Sequence, residues 1–247
     1  MLCLFVQSVW ADPPPHDPAV LRVLVSESWS MPLMAWQVQR GVVRPQDGFM
    51  RRWYEAVGQA LGLRVEWVLR PRRRIEDALR RGEADLACLI RPDWVSEPLR
   101  SELLWAHEPF SETVDQLVAG PGVTPPSSVE DLRGASVGTV LGFVYEALQP
   151  LFDQGLLQRD DAVQETQLAQ KLLRGHDRYA YMERAQLNYL ARQSAQGKQL
   201  HATGLALQRK PVFCALSPQS QVSLRRYESV QADLLKSPLM QAALKGL

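Results

Sequence analysis

Residues 70–119 read RPRRRIEDALRRGEADLACLIRPDWVSEPLRSELLWAHEPFSETVDQLVA, and the punctuation of this stretch decides the fold. Pro71 opens a short helix over 72–81 in which Ile75, Ala78 and Leu79 fall at helical spacing, and Gly82 stops it. Residues 84–90 form an apolar run, long enough for a buried strand and too short for a helix that stands alone. A polar loop with Pro92, Pro98 and Arg100 follows. Pro109-Phe110 comes next, and residues 114–119 make a further strand-like run.

The same alternation continues outward. Upstream, residues 21–25 (LRVLV) predict a first strand, followed by the loop Ser26-Glu27-Ser28-Trp29-Ser30-Met31-Pro32. Gly48-Phe49 opens an amphipathic helix with Phe49, Trp53, Val57, Ala60 and Leu61 on one face, closed by Gly62. Residues 65–69 are a second strand. The order β-α-β-α-β calls for a parallel sheet with helices on its faces, an α/β architecture. Ligands of such sheets sit beyond the strand C-termini, where Trp29 and the residues after Leu69 and Ile90 gather. Trp29 either offers its indole face to a ligand or plugs the edge of the domain.

Downstream, 120–122 (GPG) and 124–128 (TPPSS) mark a boundary rich in turn residues. Residues 135–140 predict a strand. The run Gly138-Thr139-Val140-Leu141-Gly142 leads into a helix over 143–152, whose first backbone N–H groups would make an anion site. It lacks the Lys and Ser/Thr of a phosphate-binding loop. Residues 168–173 and Gly175 repeat the helix-then-glycine punctuation, and 178–182 form a strand that Glu183 follows. Residues 200–207 and 211–216 are strand-like, and two helical segments over 219–235 and 238–245 close the chain.

This pattern resembles the bacterial solute-binding proteins of family 3, the polar amino-acid receptors of ABC importers with the type II periplasmic binding fold. Leu79, Gly82 and Asp85 match the family's Leu-x-x-Gly-x-x-Asp. Arg100, Pro109 and Phe110 match its Arg followed nine residues on by Pro and an aromatic. The loop between the two parts is about three residues longer than the family's. The resemblance covers residues 19–247. It implies two lobes joined by two crossover strands, with 19–112 the first part of lobe 1, 113–210 lobe 2, and 211–247 the return crossover and the rest of lobe 1.

The resemblance also implies site residues. Arg100 would clamp a ligand carboxylate bidentately. Glu183 stands where the family's acid binds the ligand's ammonium, and otherwise reads as a helix N-terminal acid. Arg74 stands where relatives carry an arginine, and either reaches the cleft or stays on the surface. Phe143 and Val144 occupy the place of a hydroxyl residue that helps hold an α-carboxylate; Met50, Arg72 and Arg178 are further departures. The function implied is capture of an amino acid or derivative in the periplasm and delivery to the membrane permease of an ABC importer, as a monomer and without a cofactor. The alternatives are a periplasmic sensor for a signalling partner and an enzyme resembling cyclohexadienyl dehydratase.

Composition bounds these readings. The chain has 247 residues, 46% hydrophobic and 22% charged, ample for a buried core. A net charge of +1 demands neither nucleic acid nor an anionic membrane, and acids interleave with the arginines of residues 70–81. Residues 1–11 read as the tail of a secretory signal, with Val9-Trp10-Ala11 before the cleavage point but no basic n-region. Cys3 would leave with that signal. Cys88 and Cys214 read as buried thiols, with a bridge left open. The four histidines show no metal-ligand spacing and no nucleophile elbow occurs, so the chain reads as a binder and not an enzyme.

Overall fold

The structure is a computed structural model that describes residues 17, 19–39, 42–205 and 208–245. The leader read into residues 1–11, with Cys3, lies outside the described residues.

Lobe 1 forms the predicted strands and helices, with a hairpin after the first strand that the spacing did not predict. Strand β1 (Val20–Ser26) is followed by a hairpin of β2 (Ala35–Gln39) and β3 (Val42–Asp47), then by helix α1 (Phe49–Leu61) and β4 (Arg64–Arg70). After β4 come α2 (Ile75–Arg80), β5 (Leu86–Ile90), α3 (Glu97–Glu102) and the short β6 (Leu104–Trp105). The long β7 (Ser111–Ala119) leads into β8 (Ser136–Val140), α4 (Gln149–Asp153), β9 (Gln158–Ala162), α5 (Glu165–Leu173), β10 (Tyr179–Glu183) and α6 (Arg184–Gln193). The chain ends with β11 (His201–Ala202), β12 (Gln208–Leu216), α7 (Leu224–Lys236) and α8 (Pro238–Lys245).

The main sheet runs β4-β1-β5-β12-β7-β10-β8-β9. β1 is parallel to β4 and β5, and β8 is parallel to β9 and β10. Between these parallel halves, β7 and β12 pair antiparallel, Gln208–Val212 of one against Ser111–Asp115 of the other. Each then continues into a different half: β12 pairs β5, and β7 pairs β10. The buried apolar residues divide accordingly. Two clusters draw on residues from Leu21 to Phe110 and from Cys214 to Met240, and two others lie wholly between Leu117 and Leu205. Each lobe thus has its own core, joined through two adjacent strands.

The residues that carried the sequence reading hold the fold together. Leu79 is buried on the inner face of α2, and Gly82 follows the end of that helix at φ +70. Asp85 is buried and accepts Arg22 N–H (2.8 Å) and two guanidinium bonds from Arg22 (2.9 and 3.1 Å), tying the start of β5 to β1. Phe110 packs edge-on against Trp53 at 4.5 Å, a pair that adds about 1 kcal/mol beyond its buried area. Lobe 2 repeats the device, with buried Asp177 held by Lys171 Nζ at 3.2 Å.

Helix α1 buries Phe49, Trp53, Val57 and Leu61 as the spacing requires, together with Met50 and Tyr54; Ala60 is exposed. Its start fixes the loop that carries Trp29. Phe49 N–H donates to Pro32 O (2.9 Å) and Met50 N–H to Leu33 O (3.0 Å). Gly48 sits at φ +121, and a Cβ there would lie 2.3 Å from Leu33 O, so only glycine permits this approach. Gly48→Ala is expected to cost about 2–3 kcal/mol, from an unfavourable φ and a displaced loop. An unchanged urea midpoint would remove Gly48 from that role.

Three expectations are corrected. The polar loop holding Arg100 is helix α3, started by Glu97 and Pro98. The helix over 143–152 shrinks to Gln149–Asp153, so the expected helix start at 143 does not form. Three N–H groups of the stretch bond within the protein: Val140 N–H donates to Tyr145 Oη (2.7 Å), Leu141 N–H to Ala162 O and Phe143 N–H to Val140 O. Finally, Cys88 and Cys214 are not thiols. They face each other in register on β5 and β12 with Cα atoms 3.9 Å apart, and they form a disulfide.

Candidate functional site

The C-terminal ends of the parallel strands of both lobes point at one another, and a cavity of about 300 Å3 lies between them. Lobe 1 lines it with Trp29 and Leu33 after β1, Arg72, Arg73 and Glu76 after β4, and Trp94 and Val95 after β5. Lobe 2 contributes Gly142, Phe143 and Tyr145 after β8, Glu165 at the start of α5, and Glu183 at the end of β10. Asp115 enters from crossover strand β7.

The lobes are closed on this cavity. Ser30 Oγ donates to Gln186 Oε1 (3.3 Å), and Gln164 Nε2 donates to Glu27 O (3.4 Å). Gly142, at φ +86, lies so near Arg73 that a Cβ would come within 2.9 Å of its Cγ.

Trp29, Phe143 and Glu183 all line the cavity. Trp29 does so while only 5% exposed, with its carbonyl accepting Trp36 Nε1 at 3.1 Å; it both faces the cavity and seals the domain edge. Glu183 precedes α6 but its carboxylate makes no capping bond. Arg100 and Arg74 are not among the lining residues. Arg100 folds back on its own helix, to Glu97 at 3.0 Å and Val95 O at 3.1 Å, and Arg74 is exposed. The arginines that reach the cavity are Arg72 and Arg73. Arg72 is neutralised by Glu76 (2.5 Å) and lies over the Trp94 ring.

Sequence reasoning missed Asp115 and Glu165. With Glu183 they form a group of three acids on the lobe 2 side. Asp115 and Glu183 are register partners on β7 and β10, so two carboxylates stand side by side on one sheet. Burial pushes the Asp115 carboxyl up to about 7, with Lys210 pulling the other way. Burial pushes Glu165 up to about 8, with the Asp115 charge adding to it. Burial, then the charges of Glu165 and Asp115, hold Glu183 well above the usual carboxylate range. Asp115 could have been found as the one charge inside an apolar strand run. Glu165 has no such signal, since a first-turn acid is ordinary helix grammar.

No known family profile matches the sequence, and no curated protein matches it either. Solved structures match over nearly the whole chain. An ancestral arginine-binding protein bound to arginine superposes with a TM-score of 0.74 at 20% identity, covering 93% of this chain and 98% of that one. An amino acid ABC transporter substrate-binding protein from Streptococcus pneumoniae, bound to L-arginine, gives 0.72 at 17%, covering 92% of each chain. An ancestral amino acid-binding protein, described as a precursor of cyclohexadienyl dehydratase, gives 0.72 at 16%, covering 92% of this chain and 94% of its own. The fold is the two-lobed type II periplasmic binding fold. The cavity lies between the lobes and beyond the strand C-termini, the general place for ligands of open α/β sheets. Among the described residues no helix is long and apolar enough to cross a membrane, and no group of His, Cys, Asp and Glu is arranged to hold a metal ion.

Proposed function

We propose that the protein is a periplasmic solute-binding protein that captures a small amino-acid-like ligand between its lobes and presents the closed form to the permease of an ABC importer. The observation that carries this reading is the closed cavity with acids on one wall and arginines on the other. Glu183 takes the ligand's ammonium by a charge-assisted bond at the end of β10. Trp29 and Phe143 supply apolar contact area, and an anionic end of the ligand falls to Arg73, which makes no ion pair among the described residues. Closure is a hinge motion, the usual behaviour of periplasmic binding proteins. The ligand favours the closed state by its differential affinity for it, because its charges are met from both sides only there.

A thermal-shift screen of the chain from residue 12 onward tests the reading. Ligands that bind only the native state raise the melting temperature by mass action. At least one amino acid or derivative is expected to raise it by several degrees, and Glu183→Gln is expected to lose most of that shift while still folding. Prephenate and arogenate are expected to pass through unchanged; their turnover would replace the receptor with an enzyme on the same fold. A Glu183→Gln protein with full affinity would remove this residue from the site.

A further inference from the structure

Behind the main cavity lies a small niche of about 10 Å3, bordered by Asp115, Glu165, Glu183, Tyr181 and Gln186. A void of that size holds one water-sized group. Its wall has polar atoms with nothing to bond. Glu165 is 8% exposed and its Oε2 has no partner; Gln186 is 2% exposed and its Nε2 has none; the Tyr181 hydroxyl also has none. Buried polar atoms are rarely left in this state without a ligand or an ordered water to complete them. The same three carboxylates also border the main cavity, so they address both spaces.

The charge in this region is not balanced by the protein. Lys210 is committed to Glu146, Arg72 to Glu76, and Asp77 to Arg80 and Arg81. Lys210 acts electrostatically on Asp115 and Arg184 on Glu183, but neither lines the cavity. Of the two arginines that line it, only Arg73 makes no ion pair among the described residues, so three ionised carboxylates leave this wall with negative charge in excess. A zwitterion with a neutral side chain brings no net charge to such a site, and buried charges left uncompensated are costly.

Resting on the binding-protein reading above, we infer that this site selects a ligand with two cationic nitrogens, one of them a primary ammonium seated in the niche. The ammonium is a compact point charge with three donors, matched in size by the niche and in number by Asp115, Glu165 and Glu183. A guanidinium is planar and wider, and does not enter. The second nitrogen stays in the main cavity against the outward oxygens of the same acids, with the alkyl stem between Trp29 and Phe143. Two kinds of molecule share this chemistry: alkyl diamines, and α-amino acids whose side chain ends in an amine.

The test is titration calorimetry of the whole chain at pH 7.5 with cadaverine, putrescine, L-lysine, L-arginine, agmatine and L-glutamine. Cadaverine or lysine is expected to bind at least 30-fold tighter than the guanidinium compound of matching type, agmatine or arginine. Either is also expected to bind at least 100-fold tighter than glutamine. Lysine over cadaverine assigns the second source, and the reverse order the first. Glu165→Gln, which removes a charge without removing volume, is expected to weaken the amine at least 10-fold and to keep a cooperative melt. Glutamine bound as tightly as lysine would overturn the inference and leave the receptor reading intact. So would arginine or agmatine bound as tightly as its amine counterpart. A protein that binds none of the six overturns the inference; the broader screen above then decides the receptor reading separately.

Discussion

A double variant, Cys88→Ala with Cys214→Ala, is expected to melt roughly 10–20 °C below the parent. The bridge joins positions 126 residues apart in sequence. Closing a loop of that length in the unfolded chain is worth about 5 kcal/mol in the chain-entropy treatment. For a chain of this size each kcal/mol moves the midpoint by about 2–4 °C. Both cysteines are at most 1% exposed, so reductant reaches them slowly in the folded protein, and the variant is the cleaner comparison. A thiol titration of the unfolded full-length chain without reductant supplies the control. It should find one thiol, Cys3, where an unbridged chain has three. Three thiols, or an unshifted melt of the variant, would mean that the bridge contributes nothing.

Ligand-free protein should become less stable as pH rises from about 5 to 8.5, the opposite of ordinary acid denaturation. In the unfolded chain Asp115, Glu165 and Glu183 ionise near 4. In the folded chain the first two hold their protons to about 7 and about 8, and Glu183 holds its own well above the usual range, in each case chiefly through burial. Between those limits the native state binds more protons than the unfolded one, so stability falls with rising pH. Below pH 4 both states are protonated and the penalty vanishes. The acids held low by arginines, Asp77 and Asp93, act in a separate window, losing their contribution only as pH falls below the ordinary carboxylate range. Water in the cleft screens part of the effect, leaving on the order of 3–4 kcal/mol, or about 10 °C. A melting temperature that stays level across this range would show that the three carboxyls are solvated like surface groups. Glu165→Gln should flatten part of the slope.

The parts of the fold that were legible are those where period and punctuation agree. In residues 70–119, the apolar spacing of Ile75, Ala78 and Leu79, the stop at Gly82 and the run into Ile90 place α2 and β5 within three residues of their bounds. β9 escaped notice because Gln158–Ala162 is nearly all polar, as an edge strand that buries one residue can be. α3 read as a loop because its two-proline surroundings look like turn chemistry, although proline at the start of a helix is favourable. At the cavity, Trp29 was legible from its place after the first strand, and Phe143 and Glu183 from the family resemblance; all three line it. Arg100 was assigned by spacing alone. Spacing does not reveal that a local helix turns its guanidinium onto Glu97 and Val95 instead of into the cleft.

The central place of β12 in the sheet has a consequence for the order in which the protein is completed. A chain synthesised from its N-terminus exposes one edge of β5, and the sulfur of Cys88, until β12 has been made. Everything that lobe 2 needs for its two cores lies between those events, within residues 117–205. Lobe 1 therefore cannot be finished before the whole of lobe 2 has emerged. Its last strand and its covalent tie arrive together.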